Sequence, residues 1–266
     1  MKIIPEIAAN KDEMVAWRRD IHAHPELAYE EERTAGLVAE RLEEWGLAVH
    51  RGLATTGVVG TLSTGNGPTV GLRADMDALP IQETNSFGHR SRHDGKMHAC
   101  GHDGHTSCLV GAAKVLGQIR DELEGPVKFI FQPAEEGGAG GKRMCEEDAL
   151  ENPKVDAIFG FHGWPGLQQG EIGIRPGAFL ASSDTFDIMI DGTGGHAAFP
   201  HLGVDPIVVA SHAITAIQSI VSRNTDPLNS AVVTVSEIKA GTTYNIIPQT
   251  ATLKGTIRAL DETVRQ

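Results

Sequence analysis

The sequence predicts an α/β fold with a largely parallel sheet, followed by a smaller α+β segment. Predicted strands and helices alternate up to about residue 177, and some of the strands, such as 157–161, are continuously apolar, as in sheets covered on both faces. Beyond residue 177 the strands alternate apolar and polar residues. Their β-α-β-β order matches the first two-thirds of a ferredoxin-like βαββαβ unit.

In the first part, an apolar stripe with helical spacing predicts an N-terminal helix that ends before Pro25, because a following proline disfavours the α conformation. Three further helices are expected over 31–45, 106–119 and 142–150, and four strands over 58–62, 69–72, 127–131 and 157–161.

The second part has one long predicted helix, 206–221, which starts with a proline, a favourable first-turn residue. Strands are expected over 185–190, 231–238 and 250–257. Asp261 is typical of a helix N-terminus, but the sequence ends before the last helix and strand of the motif. We therefore expect a first domain at residues 1–180 and a second, incomplete domain at 181–266.

The composition restricts the classes of function. With 40% hydrophobic and 22% charged residues, the chain is neither disordered nor fibrous. Its formal charge of −12, without a basic cluster, argues against nucleic acid or an anionic membrane as a partner. No stretch reaches the roughly 20 apolar residues of a membrane span, and the N-terminus lacks a signal-peptide core, so a cytoplasmic location is expected.

Five of the twelve histidines lie between His89 and His105, and the densest cluster is the segment 97–105, MHACGHDGH. Thiol, imidazole and carboxylate groups on a glycine-rich backbone favour a transition-metal site. Three cysteines cannot all pair, so Cys100 is expected to be a ligand or a nucleophile rather than a disulfide partner. On these grounds a Cys/His nucleophile and an ordinary polar surface loop stay open as alternatives.

Acidic and histidine side chains follow the second, third and fourth predicted strands: Asp75 and Asp77, then Glu135 and Glu136, then His162. Because the carboxyl ends of parallel strands meet at one edge of a sheet, we expect a single polar cluster there. Two adjacent carboxylates can divide the roles of metal ligand and proton carrier. The alternatives are a solvated acidic loop and a structural histidine.

Two glycine-rich segments resemble nucleotide-binding motifs but lack required residues. After 137–142, Arg143 occupies the position of the magnesium-binding Ser or Thr of a phosphate loop. After 192–197, Pro200 interrupts the chain before the helix of a dinucleotide site could start.

Taken together, these motifs resemble the amidohydrolase branch of the M20 metallopeptidase family, which includes hippurate hydrolase, N-acyl-amino-acid amidohydrolases and auxin-conjugate hydrolases. The resemblance runs from 18–27, RRDIHAHPEL, to 255–258, GTIR, and is most specific over 97–105, 132–137 and 194–200. It implies a zinc-exopeptidase-like catalytic domain with an inserted ferredoxin-like lid domain that also forms a homodimer.

The resemblance implies a site for two divalent metal ions, zinc or manganese first, with cobalt and nickel as alternatives. The implied ligands are Cys100, His102, Glu136 and His162. Glu135 is the implied general base, which takes a proton from the attacking water and later protonates the leaving amine. Asp77 is implied to orient a ligand. The implied substrate is a small N-acyl or N-aroyl amino acid, cleaved to a carboxylate and an amino acid.

In the lid, the resemblance implies that His196 donates to the developing oxyanion and that Asn245 and Arg258 contact the substrate, Arg258 by pairing with a carboxylate. For His196 the alternative is a strand-end histidine with local turn contacts. At Asp75 the sequence departs from the wider family, where a metal-binding histidine is usual, and we leave Asp75 out of the ligand set.

Family members continue beyond this sequence and supply a fifth metal ligand, a C-terminal histidine. The resemblance therefore leaves two hypotheses. The first is a binuclear metal-dependent amidohydrolase. The second is a truncated, catalytically impaired relic, or a module that binds a metal or a ligand.

Overall fold

A computed structural model describes residues 4–266, and the chain divides into two compact units, Met1–Gly170 and Glu171–Gln266. The expected domain boundary after residue 180 lies close to this division, and the assignment of a catalytic and a lid domain stays a prediction. Within the described residues, none of the helices has the length and hydrophobicity needed to span a bilayer.

The first unit combines α-helices with one five-stranded sheet. Its helices are α1 (Pro5–Ala9), α2 (Lys11–Ala23), α3 (Glu32–Glu44), α4 (His102–Gln118) and α5 (Gly140–Glu146). Its strands are β1 (Ala48–Leu53), β2 (Gly57–Leu62), β3 (Val70–Asp75), β4 (Val127–Gln132) and β5 (Ala157–Gly160).

The sheet of the first unit is mixed, with the strand order β1-β2-β4-β3-β5. Strands β4, β3 and β5 are parallel, whereas β1 pairs antiparallel with β2, and β2 antiparallel with β4. The largely parallel sheet expected from the sequence is thus confined to three strands. Strand β1 was not predicted, because its residues, AVHRGL, are mostly exposed and lack an apolar face.

Two helices differ from their predicted bounds for local reasons. The expected N-terminal helix is divided at Asn10 into α1 and α2. Helix α4 begins at His102 rather than at residue 106, because Gly101, with a φ of +93°, ends the preceding loop in the left-handed conformation that glycine tolerates. The polar first turn of α4 is therefore part of the helix.

Strand β4 is covered on both of its faces, whereas the continuously apolar strand β5 is exposed along its length, contrary to the expectation for such a run. Phe129 and Phe131 pack into a core cluster with residues of α2, α3 and α4, including Leu42. Ile130 points to the opposite face, where it packs with Met144 of α5. Fully burying such side chains contributes about 1.5–3 kcal/mol each, so this central strand holds both layers in place.

The second unit has the expected β-α-β-β order. Its helices are α6 (Pro206–Ser219) and α7 (Glu262–Arg265), and its strands are β6 (Asp184–Asp191), β7 (Gly195–His196), β8 (Ala231–Ala240), β9 (Ile246–Ile247) and β10 (Thr250–Ala259). Strands β6, β10 and β8 form an antiparallel sheet in that order, and β7 pairs with β9. Ala210 of α6 packs on this sheet against Ala251 and Leu253, so one sheet face is buried and the strands alternate.

Candidate metal centre

The polar side chains predicted to follow the strands lie together at one edge of the first unit's sheet. Asp75 ends β3, the loop with Glu135 and Glu136 follows β4, and His162 follows β5. The three strands run parallel, so their carboxyl ends share an edge. The expectation of one polar cluster is thus met for these strand ends.

His102 occupies the centre of this cluster, at the start of α4. Its side chain is fully buried, and its Nδ1 lies 3.2 Å from Oδ1 of Asp77. Because a carboxylate only accepts hydrogen bonds, Nδ1 carries a proton, which leaves Nε2 as the ring atom that a metal could bind. The second oxygen of Asp77 accepts the main-chain N–H of Glu136 at 2.9 Å. Asp77 therefore connects the first turn of α4 with the loop between β4 and α5, residues 133–139, which is called the acidic loop below.

The Nε2 atom of His102 is buried and has no hydrogen-bond partner among the described residues. It lies 3.6 Å from Asp75 Oδ2, 3.8 Å from Glu136 Oε1 and 4.0 Å from Glu135 Oε2. Burial opposes a charge on this ring, but the hydrogen bond of Asp77 and the nearby carboxylates outweigh burial and raise the pKa of His102. A buried, unpartnered ring nitrogen among carboxylates that favour positive charge fits a site for a bound cation.

Three overlapping groups of side chains place potential ligand atoms within 4.8 Å of one another. They are Cys100 with His102 and His162, Asp75 with His102 and His105, and His102 with Glu135 and Glu136. His102 belongs to all three. A set of sulfur, imidazole and carboxylate donors suits borderline transition metals, so the residues present fit the ions that the sequence motifs imply.

Cys100 fits the role of a metal ligand better than that of a nucleophile. Its Sγ lies 3.3 Å from Nε2 of His162. Burial, then the hydrogen bond with Glu136 and the charges of Glu136 and Asp75, raise the pKa of the Cys100 thiol to about 12. Nucleophilic attack requires a thiolate, which this environment disfavours, whereas a coordinated thiol loses its proton. The cysteine-hydrolase alternative therefore loses support.

The two adjacent glutamates have different environments. The Glu135 side chain is 41% exposed and that of Glu136 is 22% exposed. Burial, and then the charges of Glu136 and Asp75, raise the pKa of Glu135. A carboxylate with a raised pKa is better matched to accepting and returning a proton near neutral pH. This asymmetry is consistent with a base at Glu135 and a ligand at Glu136.

The remaining predicted site residues lie in the second unit. His196 is on β7, and its Nδ1 accepts the N–H of Ala198 at 3.1 Å, the kind of local turn contact that the alternative for this residue expects. The N–H of Ala197 donates to the carbonyl of Asn245 at 3.0 Å, which brings the His196 and Asn245 segments together. Arg258 lies on β10, where it is half-buried and contacts its own strand.

Sequence reasoning missed Glu31, which forms a hydrogen bond with the main chain of the acidic loop. Its carboxylate is fully buried, and Oε1 accepts the N–H of Ala134 at 2.8 Å. Glu31 is 103 residues away from Ala134 in the chain, and no local pattern connects the two. The one available signal was an acidic residue at the start of a predicted helix, which is usually explained by the helix dipole.

Fold and site together define an α/β protein with a candidate transition-metal centre at the carboxyl edge of its sheet. The profile of peptidase family M20/M25/M40 matches residues 71–261, and the chain belongs to this family, in its amidohydrolase branch.

The relatives are named as hydrolases. IAA-amino acid hydrolase ILR1-like 2 of Arabidopsis thaliana is 51% identical over 93% of this chain, which covers 56% of that protein. Hippurate hydrolase of Campylobacter jejuni is 46% identical over the whole chain, which covers 69% of it. A solved dinuclear metal-binding peptidase of the M20 family from Bacillus subtilis matches 97% of this chain and 67% of its own, with 39% identity and a TM-score of 0.79. The chain thus spans between half and about two-thirds of the length of these relatives.

Proposed function

We propose that this chain carries the metal centre of a metal-dependent amidohydrolase that cleaves N-acyl or N-aroyl amino acids to a carboxylate and an amino acid. The observation that carries the proposal is the buried, unpartnered Nε2 of His102 among sulfur, imidazole and carboxylate donors. The names of the relatives, a hippurate hydrolase and an IAA-amino acid hydrolase, support the substrate class.

The proposed ligands of two divalent ions, zinc or manganese first, are Cys100, His102, Glu136 and His162. Bound ions supply Lewis acidity, which acidifies water and polarises the scissile carbonyl. Glu135 takes the proton from the attacking water and later returns it to the leaving amine. Asp77 holds Nδ1 of His102 and the N–H of Glu136, so both proposed ligands keep their orientation.

In the second unit we assign substrate contacts to three side chains. His196 donates to the developing oxyanion, while Asn245 and Arg258 bind the remainder of the substrate. Arg258 provides a planar cation suited to a substrate carboxylate. We also assign homodimer formation to this unit.

The decisive experiment compares hydrolysis of hippurate by the wild-type chain and by Glu135→Gln, with the metal content of both measured. We expect about two metal ions per chain in each protein and a loss of turnover of 10²–10⁴-fold in the variant, since only the proton carrier is removed. Glu146→Gln is the matched control, because Glu146 is exposed and its one ion pair among residues 4–266 is with Lys142 of its own helix.

Three outcomes would contradict the proposal. Turnover that survives in Glu135→Gln excludes Glu135 as the base. Turnover that survives in excess EDTA excludes metal chemistry, and sensitivity to thiol alkylation alone would then indicate a cysteine hydrolase. At most one bound metal without turnover indicates the alternative, a module that binds a metal or a ligand.

A further inference from the structure

Asp75, which stands where the wider family usually has a metal-binding histidine, already has partners for both of its oxygens. The residue is fully buried. Its Oδ1 lies 2.6 Å from Nδ1 of His105, and its Oδ2 lies 2.6 Å from Nη1 of Arg73. The hydroxyl of Thr106 donates to its main-chain oxygen at 2.8 Å. Both carboxylate oxygens and the main-chain oxygen of Asp75 thus already accept hydrogen bonds from protein groups.

Both ring nitrogens of His105 already take part in hydrogen bonds. Nδ1 donates to the carboxylate of Asp75, and Nε2 accepts the N–H of Gly163 at 2.8 Å. These two contacts fix one neutral tautomer, with the proton on Nδ1. Although His105 belongs to one group of potential ligands, it has no free donor atom to offer a metal.

Gly163, whose N–H donates to His105, also forms a hydrogen bond with the preceding residue, His162. Its carbonyl accepts a hydrogen bond from Nδ1 of His162 at 2.8 Å, so His162 keeps Nε2 as its donor atom, 3.3 Å from Sγ of Cys100. His162 itself is exposed and follows the end of β5, where a loop would otherwise be free to move. Its orientation therefore depends on what holds Gly163.

We propose that Asp75 and His105 are positioning residues that fix the proposed ligand His162 through Gly163, and that Asp75 is not itself a ligand. Ligand histidines typically need a partner on their second nitrogen, and loss of such outer contacts costs about 10–100-fold in metal affinity. Here that partner is a main-chain carbonyl, secured by a buried pair on β3 and α4. The inference rests on the proposed function only in treating His162 as a ligand.

The test uses three variants of the full chain: Asp75→Asn, His105→Phe and their combination. Cobalt is titrated into each protein, and the thiolate-to-cobalt absorption band reports coordination by Cys100. We expect the wild-type number of cobalt equivalents and a retained band in every variant, with the site containing His162 weakened about 10–100-fold. Because both residues act through Gly163, the double variant should lose no more affinity than the more affected single variant.

Thr106→Val is the matched control, because it removes a buried hydrogen bond to the main chain of Asp75 and leaves the carboxylate contacts intact. Its cobalt affinity should equal that of the wild type. A metal-free measurement is independent of the proposed activity: nitrogen NMR of labelled histidines should show His105 and His162 protonated on Nδ1. His105→Phe should change the His162 signals.

Loss of one cobalt equivalent in Asp75→Asn overturns the inference, because it makes Asp75 a ligand. Unchanged cobalt affinity in both single variants, or His105 protonated on Nε2 in the metal-free wild type, overturns it equally. If the wild type hydrolyses no N-acyl amino acid, the proposed function fails while the NMR result still decides the inference. A variant that does not fold leaves the wild-type tautomer as the deciding observation.

Discussion

His22 is a buried histidine outside the proposed ligand set, and both of its ring nitrogens face carboxylates. Nδ1 lies 3.0 Å from Asp103 and Nε2 lies 3.2 Å from Glu83. Since a carboxylate only accepts, both nitrogens are protonated in this arrangement and the ring is a cation. The hydrogen bond with Asp103, against the opposing effect of burial, raises the pKa of His22 above 6.5. His22 thereby connects α2 with the first turn of α4.

This arrangement predicts a pH-dependent contribution to stability. A raised folded-state pKa means that the contribution is fully present below pH 6.5 and is lost as the pH rises through the folded-state pKa. At pH 6, His22→Gln should lower the free energy of unfolding by about 1.5–3 kcal/mol, because it removes a charged donor from two buried carboxylates, of which Asp103 keeps its pair with Arg18. The difference from the wild type should shrink towards pH 9, as measured by urea unfolding.

The matched control for His22 is His50→Gln, since His50 is exposed on β1. This control should change the free energy of unfolding by less than about 0.5 kcal/mol at every pH. A difference between wild type and His22→Gln that is the same at pH 6 and pH 9 would show that the ring acts by packing and not by charge.

At the scale of elements, Tyr29 and Glu31, just before α3, form hydrogen bonds with the acidic loop that follows β4. These two residues are called the clamp below. Glu31 accepts the N–H of Ala134, and the hydroxyl of Thr56 donates to its other oxygen at 2.5 Å. The hydroxyl of Tyr29 donates to the carbonyl of Gly138 at the far end of the loop. Ala134 has a φ of +51°, a conformation that a non-glycine residue adopts only when its surroundings hold it. We therefore expect the clamp, together with Asp77, to keep Glu135 in place.

Removal of the clamp should therefore affect catalysis as well as stability. In Glu31→Ala, the N–H of Ala134 and the hydroxyl of Thr56 both lose their partner, at a cost of about 1–3 kcal/mol each. A displaced Glu135 should lower kcat by up to about 10²-fold while KM changes little. Steady-state hydrolysis of hippurate and thermal unfolding measure the two effects.

The control for the clamp is Glu30→Ala, one residue earlier, where an exposed carboxylate pairs with Lys96 on the surface. Loss of such a pair costs at most about 1 kcal/mol and should leave kcat unchanged. If Glu31→Ala is destabilised but keeps the wild-type kcat, the clamp serves folding and not the placement of Glu135, the proposed base.

The elements that the sequence predicted well are those whose burial produces a recognisable pattern of apolar residues in the sequence. Helix α3 and strand β4 have their apolar residues at the expected spacing, because a core covers one face of the first and both faces of the second. Strand β1 has no such spacing, since most of its residues are exposed. The start of α4 was placed too late because its first turn buries polar residues, which hydrophobic periodicity does not register.

The candidate site was predictable where it depends on strand ends, and not where it depends on distant pairs. Parallel strands bring the ends of β3, β4 and β5 to one edge, so clusters in the sequence became a cluster in space. The contacts of Glu31 with Ala134 and of His22 with Asp103 join residues that are 103 and 81 positions apart. Tertiary packing alone creates these contacts, and nothing in the local sequence around Glu31, Ala134, His22 or Asp103 marks them.

For the whole molecule, the division into two compact units separates the proposed ligands from the rest of the chain. Cys100, His102, Glu136 and His162 all belong to the unit that ends at Gly170. A ligand stabilises only those states that bind it, by about 2.7 kcal/mol when its free concentration is 100 times its Kd. We therefore expect a bound metal to stabilise the first unit selectively.

Hydrogen exchange resolved by residue tests this expectation. With zinc at about 100 times its Kd, the amides of β3, β4 and α4 should exchange about 100-fold more slowly than in EDTA, the equivalent of about 2.7 kcal/mol. The amides of β8 and β10 should not change. Glu135→Gln should show the same protection as the wild type, because it retains the ligands. Equal protection of β8 and β10 would instead show that both units unfold together, and no protection in either unit would count against the metal centre.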